Sequence, residues 1–172
     1  MAKTSLIVGG NGALGRAMVS AFKRSGWRVA TIDLTHNAEA DKHITVRSET
    51  DLHEQLSAIK AGCIDFSGQY DSIICVAGGF GLSNIKDNSI LEAYEHQDKI
   101  NFQPALMSAH LASQTLAAQG MLLFTGSASV FEGPVNYAYA YYIAKSATHS
   151  LALQMSEKQE LPESSSVITI LP

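Results

Sequence analysis

Tyr141 and Lys145 stand four residues apart in the stretch 136–149, and neither Tyr137, Tyr139 nor Tyr142 has a lysine at that spacing. On a helix, residues i and i+4 share a face one turn apart. An ammonium held beside a phenol favours the phenolate, so the spacing predicts a tyrosine that releases its proton below the usual pKa of ~10 and can act as an acid near neutrality. The plain alternative is a solvated lysine on a helix surface, because Tyr-x-x-x-Lys also arises by chance. The pair gains weight from a second feature at the opposite end of the chain.

That feature is the run Gly9-Gly10-Asn11-Gly12-Ala13-Leu14-Gly15, which follows a strand-like segment and leads into an amphipathic one. Gly10, Gly12 and Gly15 satisfy Gly-x-Gly-x-x-Gly in the strand-turn-helix context that gives the motif meaning. Such a turn lets backbone N–H groups approach a pyrophosphate at the positive end of a helix. Asp33 closes the next strand-like run, 18 residues after Gly15. A carboxylate there accepts both ribose hydroxyls of an adenosine and repels a 2′-phosphate, which favours NAD(H) over NADP(H). The alternative for Asp33 is a turn residue ahead of Thr35-His36-Asn37, and Arg16 or Arg28 could soften the preference by pairing with a phosphate. Small residues also follow a fourth strand-like run, in Ala77-Gly78-Gly79-Phe80-Gly81, where a doubly wound sheet binds its ligands.

The elements that must position these residues alternate along the chain. Strands are expected over 5–8, 28–32, 43–46, 72–76, 121–125 and 166–171, and helices over 13–25, 50–61, 91–119 (as two helices) and 136–158. Gly26, Gly62 and Gly120 are read as helix ends. Alternating strands and helices predict an α/β fold of the Rossmann type, a doubly wound parallel sheet in a single domain spanning 1–172. Such a sheet usually continues with a further helix and strand after the sixth strand. The chain stops at Leu171-Pro172, so that segment, including the part that would close over a substrate, is expected to be absent.

Composition narrows the function classes. At 46% hydrophobic and 16% charged, the 172 residues read as globular. A net charge of −4 without clustered Lys or Arg argues against a nucleic-acid partner, so an anionic ligand must be held by local groups. No run of about 18 apolar residues points to a membrane. Cys63 and Cys75 lack metal-ligand spacing and read as reduced thiols of a cytoplasmic protein, and no metal site is expected. None of the six histidines makes a metal pair, and His149 reads as packed at a helix interface.

Taken together, the glycine turn, an Asp ending the second strand, an Ala-Gly after the fourth and Tyr-x-x-x-Lys on a late helix resemble the short-chain dehydrogenases/reductases. One branch fits best: Val8 to Gly15, Cys75 to Gly79 and Ala144 to His149 are similar to the dihydropteridine reductases, with Ala13 where the wider family usually has another glycine. The resemblance implies an NADH-dependent oxidoreductase that reduces quinonoid dihydrobiopterin to the tetrahydro form, with Tyr141 as proton donor, Lys145 lowering its pKa and anchoring the cofactor ribose, and Asn101 as the family's structural and catalytic asparagine. Asn101 alone also reads as a helix N-cap or a satisfied polar residue. The implied cofactor contacts are Gly9, Gly10, Gly12, Ala13, Leu14, Gly15, Asp33, Leu34, Ala77, Gly78, Gly79, Tyr141, Lys145 and Pro172.

On the substrate side the resemblance implies Phe80, which stands where the vertebrate enzyme has a tryptophan and offers an aromatic face without the indole N–H. The wider family's carbonyl-polarising serine falls at Ala128, and Ser127 or Ser129 takes part only if the loop shifts by one residue. A homodimer is expected through helices around 101–118 and 137–157, with Met107, Leu111 and Leu116 as its packing face. Two other readings stay open: a generic NAD(H)-dependent carbonyl reductase using Ser127 or Ser129, and a non-catalytic NADH sensor. A sensor needs only the glycine turn and Asp33, so the presence of Tyr141 and Lys145 weighs against it.

Overall fold

The computed structural model describes residues 2–47, 52–133, 137–157 and 160–172. Among them, six strands form one parallel sheet: β1 Thr4–Val8, β2 Arg28–Asp33, β3 Lys42–Thr45, β4 Tyr70–Cys75, β5 Leu116–Thr125 and β6 Ser166–Ile170, in the order β3-β2-β1-β4-β5-β6. Short apolar runs make these strands because both faces of the sheet are covered. Leu6 and Val8 enter a core shared with α2 (Leu52–Phe66), α4 (Gln103–Thr115) and α6 (Tyr139–Glu157), whereas Ile7 between them packs on the other face with Val19 of α1 (Ala13–Arg24). Full burial of one such Leu or Ile is worth about 1.5–3 kcal/mol, so the period-two alternation fixes which face each strand presents.

β1 lies between β2 and β4, and the chain leaves it toward one side and returns on the other. Val8 pairs with Ile32 and with Cys75, so the carboxyl ends of these three strands lie level. That reversal of direction opens a crevice at the carboxyl edge.

Several boundaries differ from the sequence reading. α2 runs through Gly62 to Phe66, and a Cβ on Gly62 would come within 3.1 Å of Ile44, so this glycine seats the helix on β3 and does not end it. The long helix expected over 91–119 is α3 (Ile90–Gln97), a π-helical stretch Asp98–Phe102 and α4, which stops at Thr115. β5 starts at Leu116, pairs it with Tyr70, then skips to Met121 opposite Ser72. Gly120 therefore lies in a strand irregularity, beside Gln119 at φ +61°, and closes no helix. A short α5 (Ser129–Glu132) was not foreseen, and Thr50, Asn136 and Lys158, the outer limits of two expected helices, lie outside the described residues.

The stripe Met107, Leu111 and Leu116 is a further correction. All three are buried within the single chain, where they join the core under β4 and β5, so they form no free face for a second copy. No helix among the described residues is long and apolar enough to cross a membrane. Cys63 and Cys75 are free and buried, and burial pushes the Cys63 thiol up to about 11.

Candidate active site

The glycine turn occupies the crevice, and its glycines serve different purposes. Gly9 adopts φ +83°, and a Cβ there would sit 2.5 Å from the Ala77 nitrogen, so a side chain is excluded both by conformation and by the loop after β4. Gly10 and Gly15 are buried against Thr31 and against the turn's own backbone. Gly12 is different. A side chain there would meet only the Gly9 carbonyl, at 3.5 Å, so the backbone is open to the crevice where α1 begins. Ala13 and Leu14 follow as its exposed first residues.

A cleft of about 620 Å³ extends from this turn. Gly9, Gly12, Asp33, Leu34, Ala77 and Gly78 all line it, bringing together residues from the ends of β1, β2 and β4. Its opposite wall was missed in the sequence: Arg47 after β3, Gln55 on α2, and His96, Lys99 and Gln103 along the α3–α4 segment. The last three, with Ile100 and Met107, recur at helical spacing and form one stripe, the signal that could have found them. Gln55 fixes the Arg47 backbone, accepting its N–H at 2.6 Å and donating to its carbonyl at 2.9 Å.

Asp33 is held at both oxygens. One accepts the Asn11 N–H and the other the Leu34 N–H, each at 2.7 Å. An ionised carboxylate offers about four lone-pair sites, so acceptor capacity remains toward the cleft. The open backbone at Gly12 and this carboxylate fit the pyrophosphate and ribose of a dinucleotide. Of the two arginines named above, Arg16 stays beside the turn, donating to the Asn11 carbonyl at 2.8 Å. Arg28 opens β2 at the far end from Asp33, where it stacks on Phe66 and donates to the Phe66 carbonyl, so it has no bearing on a 2′-phosphate.

Behind Gly78 lies the second half of the site. Gly78 adopts φ +147°, and a Cβ on it would fall 2.5 Å from Asn101 Oδ1 and 3.3 Å from Lys145 Nζ, so both side chains press on this loop. Asn101, 1% exposed, sits in the π-helical stretch, a geometry often found at functional positions. It accepts the Gly79 N–H at 3.2 Å and donates to the Gly79 carbonyl at 3.0 Å and to Gln97 Oε1 at 2.8 Å. Asn101 is thus a fully satisfied clamp on the loop after β4 and not a helix N-cap.

Lys145 is 4% exposed and donates to the Thr125 carbonyl at 2.9 Å, which removes the reading of a solvated surface lysine. Burial holds its pKa below the ordinary lysine value, with Cys75 acting in the opposite sense. Its ammonium stands 5.8 Å from the centre of the Tyr141 ring. Phe80 packs edge-to-face on the same ring at 5.1 Å, and Phe80 itself is exposed. The structure therefore assembles Tyr141, Lys145, Asn101, Gly78 and Phe80 into one group beside the cleft.

Ser127, in the loop after β5, and Ser129, the first residue of α5, share a hydrogen bond between their hydroxyls at 2.8 Å, with Ala128 between them in sequence. His149 packs against that loop, its Nε2 accepting the Ser127 N–H at 3.2 Å and its ring meeting Phe131 edge-on. Pro172 is exposed after β6, two strands from β4, and does not line the cleft. Among the described residues no three His, Cys, Asp or Glu side chains gather as metal ligands do.

The sequence model of the short chain dehydrogenase family matches residues 3–172. The chain belongs to that family. Dihydropteridine reductase of Dictyostelium discoideum is 30% identical to this family member over 173 residues, covering 100% of this chain and 74% of that protein. Cis-1,2-dihydrobenzene-1,2-diol dehydrogenase of Pseudomonas putida is 26% identical over 168 residues, 91% of this chain and 61% of the relative. A crystal structure of an NADH-dependent reductase complexed with NAD superposes with a TM-score of 0.79 at 22% identity, over 99% of this chain and 78% of the other, and shows the shared fold. This family member thus spans between about three-fifths and three-quarters of the length of these curated relatives.

Proposed function

We propose that this short chain dehydrogenase reduces a quinonoid dihydropteridine to its tetrahydro form with NADH. The observation that carries the reading is the group formed by buried Lys145, the Tyr141 ring beside it and the exposed Phe80, next to Gly78, which lines the cleft. When bound, the dihydronicotinamide supplies a hydride to the electron-poor pterin. The backbone around Gly12 and the start of α1 hold the pyrophosphate, and Asp33 accepts the adenosine ribose hydroxyls. Lys145 anchors the other ribose and holds its ammonium beside the Tyr141 ring, whose hydroxyl carries the proton that the reduction needs. Tyr141 delivers that proton as the hydride arrives, and Phe80 gives the flat substrate an aromatic wall. The similarity to a dihydropteridine reductase, over all of this chain and 74% of that protein, supports the same reading.

A second reading, an NAD(H)-dependent carbonyl reductase, is favoured by the hydroxyl pair of Ser127 and Ser129 between β5 and the start of α5. Turnover of quinonoid dihydropterin measured against a panel of ketones, with NADH, separates the two. Pterin turnover well above every ketone is the expected result; a preferred ketone, or no pterin turnover by folded protein, overturns it.

A further inference from the structure

The Gly10–Asn11 peptide is held at both of its poles. Its N–H donates to Asp33 Oδ2 at 2.7 Å, and its carbonyl accepts from Asn37 Nδ2 at 2.8 Å. Asn37 belongs to the β2–β3 loop and is 4% exposed. Its amide oxygen is occupied within its own loop, accepting the Glu39 and Ala40 N–H groups at 2.9 and 3.2 Å. Two further bonds brace the same approach: the Asn11 side chain donates to Thr35 Oγ1 at 2.6 Å, and Asp41 anchors the loop's end through the Val29 N–H and an ion pair with Lys23.

From this arrangement we infer that Asn37 is a positioning residue for dinucleotide recognition, acting through the Gly10–Asn11 peptide on the Asp33 carboxylate. The inference rests on the NADH reading above and deepens it. A peptide next to glycine flips easily, because glycine populates both signs of φ. With its carbonyl tied to Asn37, the Gly10–Asn11 peptide keeps its N–H on Asp33, which fixes one carboxylate oxygen and leaves the other lone pairs aimed at the cleft. Without Asn37, a buried carbonyl loses its partner and the peptide gains a reason to turn toward water. Asp33 then loses the donor that orients it. One side chain therefore sets the spacing between the pyrophosphate-binding turn and the ribose-reading acid.

Asn37→Asp isolates this role. A carboxylate still accepts the Glu39 and Ala40 N–H groups but has no N–H to give the Gly10 carbonyl. Asn37→Ser is the second variant, since its short hydroxyl cannot span to Gly10. Fluorescence titration with NADH and with NADPH, alongside thermal melting of each protein, reads the outcome. The expected result is NADH binding weakened about five- to tenfold in a variant that still melts cooperatively, with the NADH-to-NADPH affinity ratio reduced. A folded variant with unchanged NADH affinity and unchanged ratio, whatever its melting temperature, makes Asn37 a loop staple only and overturns the proposal. If both variants fail to fold, exchange of the Asn11 amide proton in the wild type decides: slow exchange supports the held peptide, and exchange at the rate of an open loop overturns it. Wild-type protein that binds neither dinucleotide sinks the cofactor reading itself, an outcome distinct from either.

Discussion

The hydroxyl of Ser83 accepts the Ala140 N–H at 2.9 Å, so a residue of the loop after β4 caps the helix that carries Tyr141 and Lys145. The same residue donates its own N–H to the Tyr137 carbonyl at 2.7 Å, and Ser83 pairs with Ala138 in an isolated parallel bridge. Ala138, which precedes α6, has no side chain able to cap it, and Ser83 does so from 57 residues away in sequence. Because Phe80 lies three residues before Ser83, this strap also sets how Phe80 meets Tyr141.

Replacing Ser83 by Ala should therefore cost about 1 kcal/mol of stability, the usual cost of a lost N-cap, and lower pterin turnover with it. Chemical denaturation gives the first quantity and a saturating rate the second. A variant equal to wild type in both would mean that the bridge backbone alone holds the helix start.

Tyr141→Phe keeps the ring that Phe80 packs on and removes only the hydroxyl. Turnover should fall ~100- to 10,000-fold while NADH affinity stays near wild type. Near wild-type turnover in this variant would show that the proton comes from solvent or from another residue.

NADH should bind more tightly than NADPH, and Asp33→Ala should narrow the difference, because repulsion of the 2′-phosphate disappears along with the acceptor for the ribose hydroxyls. Titration of both cofactors tests this directly. Equal or tighter NADPH binding by the wild type would contradict the role given to Asp33.

The sheet was legible because buried parallel strands are short apolar runs between polar turns, and six of them are present where expected. Its errors have a common cause. Gly62 and Gly120 resemble helix ends in sequence, yet one seats a helix against Ile44 and the other lies in a bulged stretch of β5, both consequences of tertiary contacts. Met107, Leu111 and Leu116 likewise read as a free stripe until β4 and β5 are packed against them. In the site, Tyr141 with Lys145 and Gly12 with Asp33 stand out by local spacing. The Asn101 clamp on Gly79, the Ser83 cap and the far wall from Arg47 to Gln103 join segments distant in sequence, and only the fold brings them together.

His149 provides a pH dependence whose sign follows from its surroundings. Burial holds its pKa below the ordinary histidine value; the Ser127 carbonyl, 3.3 Å from Nε2 and able to accept from the protonated ring, opposes this, and Lys145 adds to it. A base whose folded-state pKa is depressed takes up its proton first in the unfolded chain, so its contribution is complete above ~6.5 and is lost as pH falls through the lower folded value. Wild-type stability should thus decline in mildly acid solution more steeply than that of His149→Gln, which keeps an acceptor for the Ser127 N–H without a titrating ring. Parallel curves for the two proteins between neutrality and pH ~5 would remove His149 from the account.

The hydroxyl pair of Ser127 and Ser129 best separates a pterin substrate from a ketone. Each hydroxyl already has the other as a partner at 2.8 Å, and Ala128, 13 positions before Tyr141, stands where the family's carbonyl-polarising serine is expected. A quinonoid pterin is already activated toward hydride and needs no such donor. Ser127→Ala and Ser129→Ala, singly and together, should then cost little in pterin turnover, well under the roughly 2.7–4 kcal/mol typical of losing an oxyanion donor. A ketone reductase would instead lose its rate with one of them. The double variant removes both hydroxyls of the pair together, so neither is left as an unpartnered buried group, and it retains the backbone N–H that His149 accepts. If it folds and binds NADH yet loses at least ~100-fold in pterin turnover, one of the two serines polarises the substrate, and the carbonyl-reductase reading gains the evidence it lacks.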